Sequence, residues 1–198
     1  MKNSVIDSRY NSRGTELTSI EEVIEKQNFI EPKRLKKWFW DVFIVDSFIG
    51  NGDRHNENLV FLYDPITDKN EIAPVYACGS CLYPQADENI MKSIIENEKN
   101  LRVFENPTSG LKINEKKINY FNFISSLQHS DCNEALKRIV PKINMAEIKL
   151  IIDNTPYITD LQKDFYKTML EARKERILDF SLAKLMEKEL SGNANKIY

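Results

Sequence analysis

One stretch limits this chain more than any other: a broad apolar stripe that runs straight into a short segment dense in polar chemistry. Leu35, Trp38, Phe39, Val42, Phe43, Val45 and Ile49 recur at intervals of three and four, the spacing of one helix face. Pro32 suits a first helical position, and Gly50 is the residue type that ends such a helix. Gly50-Asn51-Gly52-Asp53-Arg54-His55-Asn56-Glu57-Asn58 follows, and then the apolar run Leu59-Val60-Phe61-Leu62-Tyr63, which reads as a strand. The polar loop is thus held between two elements that both need burial. Loops fixed by rigid neighbours are where binding and catalytic groups sit. On residue types alone, the same loop also reads as a polar turn tied by its own hydrogen bonds.

The bulk numbers set the frame for that loop. A chain of 198 residues with 41% hydrophobic and 29% charged residues can bury a core as one domain, or as one lobe of something larger. A net charge of -2, from 28 basic and 30 acidic residues, gives no case for nucleic acid by bulk attraction. No apolar run approaches the ~20 residues of a membrane span, and Met1–Asp7 lacks the apolar core of a signal peptide. Three cysteines, an odd number, argue against a secreted disulfide scaffold. A cytoplasmic protein without membrane or direct nucleic-acid binding is expected.

Along the chain, residues 1–17 read as an entry segment, extended or loosely held. Thr18-Ser19-Ile20-Glu21 has the form of a capping box, opening a short helix to about Gln27. After the strand at 59–63, Asp64-Pro65-Ile66-Thr67-Asp68-Lys69-Asn70 is turn chemistry, and Glu71-Ile72-Ala73 returns as the second strand of a hairpin. Residues 75–85 read as irregular but ordered, 87–95 as helix and 101–114 as a loop-rich link. Further helices are expected at 115–127, 131–140 and 145–154, with Asp131 and Asn144 as caps. Thr159 and Gln162 cap a long last helix to about Leu190, stopped by Ser191-Gly192-Asn193. The expected fold is mainly α with one small β-hairpin, its body at 18–190 and a tail at 191–198.

The chemistry available at the loop is that of oxygen donors. The Asp53 carboxylate can orient a hydroxyl and accept its proton, and the Asn58 amide oxygen, five residues on, suits a magnesium ion. Protein kinases use the same logic: a catalytic-loop Asp, an Asn five residues later, and a second metal-binding Asp beyond a hairpin. The motif Ile49-Gly50-Asn51-Gly52-Asp53-Arg54-His55-Asn56-Glu57-Asn58, followed by Ala73-Pro74-Val75-Tyr76, resembles the C-terminal lobe of the HipA-like serine/threonine kinases. That family includes the toxin kinases of toxin–antitoxin pairs, and its pattern is close to G-N-x-D-R-H-x-x-N, a hairpin, then A-P-x-Y-D. The likeness covers roughly residues 10–185.

The resemblance implies a protein-kinase-like helical C-lobe with Mg2+ and ATP as cofactors. It makes Asp53 the catalytic base, with Arg54 and His55 shaping the loop, Asn58 a metal ligand and Asn51 a support. Two departures accompany it. The family's metal-binding Asp falls on Ala77, whose methyl cannot ligate magnesium. Only Gly14 lies before Gly50, so a Gly-rich phosphate loop and a strand with a nucleotide-pairing Lys, the marks of an N-terminal lobe, are not found. Losing one preorganised contact of this kind costs on the order of 3–4 kcal/mol, so the chain alone is expected to be inactive or weakly active. Two classes of function follow: a kinase lobe completed by an N-lobe-bearing protein, or a non-catalytic pseudokinase module that contacts a regulator or antitoxin.

Cys78-Gly79-Ser80-Cys81 is a C-x-x-C, but it lacks the strand–helix setting of redox motifs and the four ligands of a closed zinc site. It reads as two structural thiols. Asp64, Asp68, Asn70 and Glu71 lack the spacing of a calcium loop and read as a solvated turn.

Overall fold

The structure, a computed structural model, describes residues 2–4, 14–97 and 106–194. Its hub is the apolar helix the sequence marks out. Helix α2 (Pro32–Ile49) starts where Glu31 caps it, the carboxylate accepting from the Lys33 and Arg34 amides at 3.1 and 2.7 Å. It ends at Gly50 in the left-handed region, φ 73°, where a residue without Cβ carries no steric penalty. Leu35, Phe39, Trp40, Phe43 and Ile44 are buried along it, each worth roughly 1.5–3 kcal/mol relative to exposure.

Helix α1 (Leu17–Lys26) precedes α2 and packs against it. The Thr18 capping box does not form. Glu16 is the N-cap, without a side-chain cap bond, because it is bridged in extended form to Lys112 and its carboxylate accepts from the Glu115 amide. Thr18 therefore falls inside the helix. Strands β1 (Lys2–Ser4), β2 (Val60–Asp64) and β3 (Lys69–Ile72) form an antiparallel sheet in the order β1-β2-β3. The expected hairpin is β2–β3, its turn held by the Asp64 carboxylate accepting from the Ile66 amide and the Thr67 hydroxyl. The entry segment thus contributes an edge strand. Residues 5–13 and 98–105 lie outside the described residues, as does part of the link expected at 101–114.

Helix α3 (Glu88–Glu96) is capped by Asp87 and joins a small second core, with Met91 and Ile94 against Phe165 and Met169. The helix expected at 115–127 is a correction. Its first part is a second hairpin, β4 (Thr108–Ile113) and β5 (Lys116–Asn119), and only α4 (Tyr120–Ser126) is helical. Asn114 and Glu115 both take positive φ, 50° and 65°, the mark of a tight two-residue hairpin turn. Such turns ordinarily read Asn-Gly, and glutamate in the second place conceals this one in the sequence.

Helix α5 (Ser130–Ile139) begins a residue before the Asp131 cap expected, and α6 (Met145–Asp153) is capped by Asn144 as expected. Helix α7 (Asp160–Arg173) opens with the Thr159–Gln162 capping box. It continues through a π-helical turn, Lys174–Asp179, into α8 (Phe180–Ala194), so the helix passes Ser191-Gly192-Asn193 rather than stopping there. Helix α2 packs on α1, α5, α7 and the π turn. Aromatic rings close the core: Trp40 stacks on Phe123 at 5.8 Å, and Phe43 lies 5.0 Å from Tyr120. Among the described residues no helix is long and apolar enough to cross a membrane.

At Gly50 a Cβ would run into the guanidinium of Arg173, itself buried. Gly50→Ala combines that collision with left-handed strain and is expected to cost about 2 kcal/mol or more, read as a shift in the urea midpoint.

Candidate functional site

Asp46 decides where the polar loop sits. It lies on the core-facing side of α2, four residues after Val42, and is 1% exposed. The stripe read from the sequence included Val45, which turns outward at 37% exposed, and overlooked Asp46. A carboxylate buried so deeply needs a cation and hydrogen bonds. Arg54 supplies both, its Nε and Nη2 donating to the two Asp46 oxygens at 2.7 and 2.8 Å. Asn51 adds a third bond to Asp46 at 3.1 Å. Burial would lower the Arg54 pKa, but the hydrogen bonds and charge of Asp46 outweigh it and raise the value, so the guanidinium stays charged.

The same two side chains reach across to the segment beyond the hairpin. Arg54 Nη1 donates to the Tyr76 carbonyl at 2.7 Å and Asn51 Nδ2 to the Ala77 carbonyl at 3.4 Å. Ser80 Oγ donates to Asn51 Oδ1 at 2.7 Å, and the Tyr76 hydroxyl donates to the Glu57 carbonyl at 2.7 Å. From the core side, the buried Tyr120 hydroxyl donates to the Asn51 carbonyl at 2.8 Å. Burial pushes the Tyr120 phenol well above its usual pKa, so it serves as a neutral donor. The second hairpin is the wall opposite: a Cβ on Gly110 would strike the backbone of Asp53 and Arg54.

Through Asn51 and Arg54 the network ties the loop that carries Asp53 and Asn58 to the segment that carries Ala77, and none of those three side chains is its anchor. Asp53 is exposed, its amide donating to Asn51 Oδ1 at 3.2 Å. Among the described residues its carboxylate has no hydrogen-bond partner. Asn58 is 8% exposed and its side chain is folded into the short 3-10 turn Asn56–Asn58, the amide oxygen accepting from the His55 amide at 3.1 Å. His55 is half-buried, with Nδ1 3.8 Å from the Glu57 carboxylate, beyond hydrogen-bond reach. Sequence reasoning missed Asp46, Ser80 and Tyr120. Only Asp46 left a signal, an acid in register with the apolar stripe.

A kinase holds magnesium with the loop asparagine and an aspartate after the hairpin. In the resemblance drawn from the sequence the second position falls on Ala77, whose methyl offers no oxygen donor. Of the two side chains that arrangement calls for, Asn58 is present and residue 77 offers only its backbone.

Ala77 itself sits at φ 58°, a region that asparagine and aspartate enter more readily than alanine or β-branched residues. Ala77→Asp is therefore expected to leave stability within about 0.5 kcal/mol, whereas Ala77→Val loses more than about 1 kcal/mol, both by urea denaturation. Arg54→Met strands the buried Asp46 charge and is expected to cost about 3–5 kcal/mol. A loss below about 1 kcal/mol in the same assay would show that the ion pair does not hold the loop.

No family model matches the sequence. The chain is 43% identical over 193 residues to the serine/threonine-protein kinase CtkA of Helicobacter pylori, an alignment covering 96% of this chain and 59% of the relative. It also superposes on the crystal structure of a Helicobacter pylori proinflammatory kinase, CtkA, with a TM-score of 0.86 at 42% identity. That match covers 89% of this chain and 66% of the other. The chain thus spans somewhat under two thirds of the relative it matches. In sequence and in fold it is kinase-like, similar to the larger part of a serine/threonine kinase.

Proposed function

We propose that this chain is a HipA-like serine/threonine kinase C-lobe whose ATP phosphoryl transfer is impaired at one position. The observation that carries the proposal is the pair of bonds from Arg54 and Asn51 to the carbonyls of Tyr76 and Ala77. It supports a kinase-type pairing of the catalytic loop with the segment beyond the hairpin, and it leaves alanine where that arrangement needs a carboxylate.

In this reading Asp53 receives the proton of a substrate hydroxyl, held outward by the Asn51–Asp53 turn. Arg54 is the internal strut and His55 part of the turn that orients Asn58. The phosphate cover and pairing lysine that transfer requires come from outside these residues, in the same polypeptide or in a partner protein bearing the N-lobe. A cytoplasmic regulator of the antitoxin kind is the partner we assign to the lobe. Ala77 favours a second reading, a pseudokinase module that binds such a partner without transferring phosphate.

The two readings separate on one substitution. With the N-lobe of the CtkA relative supplied, Ala77→Asp is expected to raise phosphate transfer from labelled ATP by roughly 10²–10³-fold over the unaltered chain, the size of one lost electrostatic contact. No increase, with the complex demonstrably formed, would leave the binding module as the function.

A further inference from the structure

The C-x-x-C motif lies directly against the loop network. Cys78-Gly79-Ser80-Cys81 is a turn closed by the Cys81 amide donating to the Cys78 carbonyl at 3.1 Å. A turn of this kind holds its end Cα atoms within about 7 Å, close to the separation that disulfides span. Both thiols are free; Cys78 is exposed and Cys81 half-buried. Cys78 Sγ lies 3.8 Å from the Tyr76 carbonyl, the same oxygen that accepts from Arg54. Between the two cysteines, Ser80 donates to Asn51 Oδ1, and that oxygen also accepts from the Asp53 amide. Among the described residues no third acid, histidine or cysteine joins the pair to make a metal site.

We propose that Cys78 and Cys81 form a redox modification site that closes reversibly to an intramolecular disulfide by exchange with a low-molecular-weight disulfide, and that closure weakens the Ser80–Asn51 hold on the loop carrying Asp53. The exposed Cys78 reacts first. Its thiolate attacks one sulfur of the small disulfide, forming a mixed disulfide and expelling one thiolate. Cys81 then gives up its proton and attacks Cys78 Sγ, expelling the second. Two protein thiols lose two electrons and two protons, and the small disulfide becomes two thiols. Burial, then the neighbouring Cys78, raises the Cys81 pKa to about 12, so the first attack does not fall to Cys81, and its ring-closing attack draws on a small thiolate fraction. Pulling Cys78 onto Cys81 tightens the turn around Ser80, so the hydroxyl is drawn off Asn51. The inference does not rest on the kinase reading, since every contact in it is internal to the chain.

Incubation of the full chain with oxidised glutathione, followed by intact mass and peptide mapping, tests the bond. The expected product has lost two hydrogens, mapped to the peptide holding Cys78 and Cys81, and dithiothreitol reverses it. Cys81→Ser is expected to stop at a glutathione adduct on Cys78, and Cys78→Ser to stay unmodified at Cys81. A persistent glutathione adduct on the unaltered chain, or no reaction, overturns the site. Equal modification of Cys81 in Cys78→Ser overturns the order of attack. Amide hydrogen exchange by NMR tests the coupling: the Asp53 amide is expected to exchange about tenfold faster in the closed form. Equal exchange in a verified disulfide form overturns it.

Discussion

The loop holds its shape because Arg54 and Asp46 are buried together. Asp46 comes from the central helix and Arg54 from the loop after it, and the one guanidinium that neutralises the acid also grips the Tyr76 carbonyl beyond the hairpin. Either charge alone would be costly to bury. The chain therefore has to bring helix, loop and post-hairpin segment together or leave a charge stranded. Asn51 repeats the arrangement with neutral groups, touching Asp46, Ala77 and Ser80. Tyr120 then ties this polar knot to the aromatic core through the Asn51 carbonyl.

That construction separates the stability of the site from its chemistry. The bonds from Arg54 and Asn51 to the segment beyond the hairpin go to backbone carbonyls, which every residue supplies, so the side chain at 77 is not part of the frame. Alanine there is compatible with an intact loop. Asp53 is likewise held through its amide, leaving the carboxylate outward. A kinase-like scaffold, recognisable in sequence and fold, thus keeps a frame that does not depend on the side chain at 77.

Much of the fold was legible because local patterns carry it. The α2 stripe, its Pro32 start and Gly50 stop, the β2–β3 hairpin and the caps at Asn144 and Thr159 all follow from spacing and turn chemistry within a few residues. The failures have local causes too. A Glu in a turn that favours Gly concealed the second hairpin, and the pairing of Glu16 with Lys112 overrode the Thr18 capping box. A helix that widens into a π turn carries on past Gly192, where the weak helix preference of one exposed glycine does not end it.

By itself the sequence determined that a polar loop with Asp53 and Asn58 would sit between a buried helix and a hairpin, and that Ala77 would occupy the position after Tyr76. Those are facts of order and residue type along the chain. Only the tertiary structure decided that Asp46 is the anchor, that Ser80 and Tyr120 brace Asn51, and that Gly110 of a distant hairpin presses on Arg54. Each of these joins residues far apart in sequence, and partners of that kind are selected by burial, which no local pattern encodes.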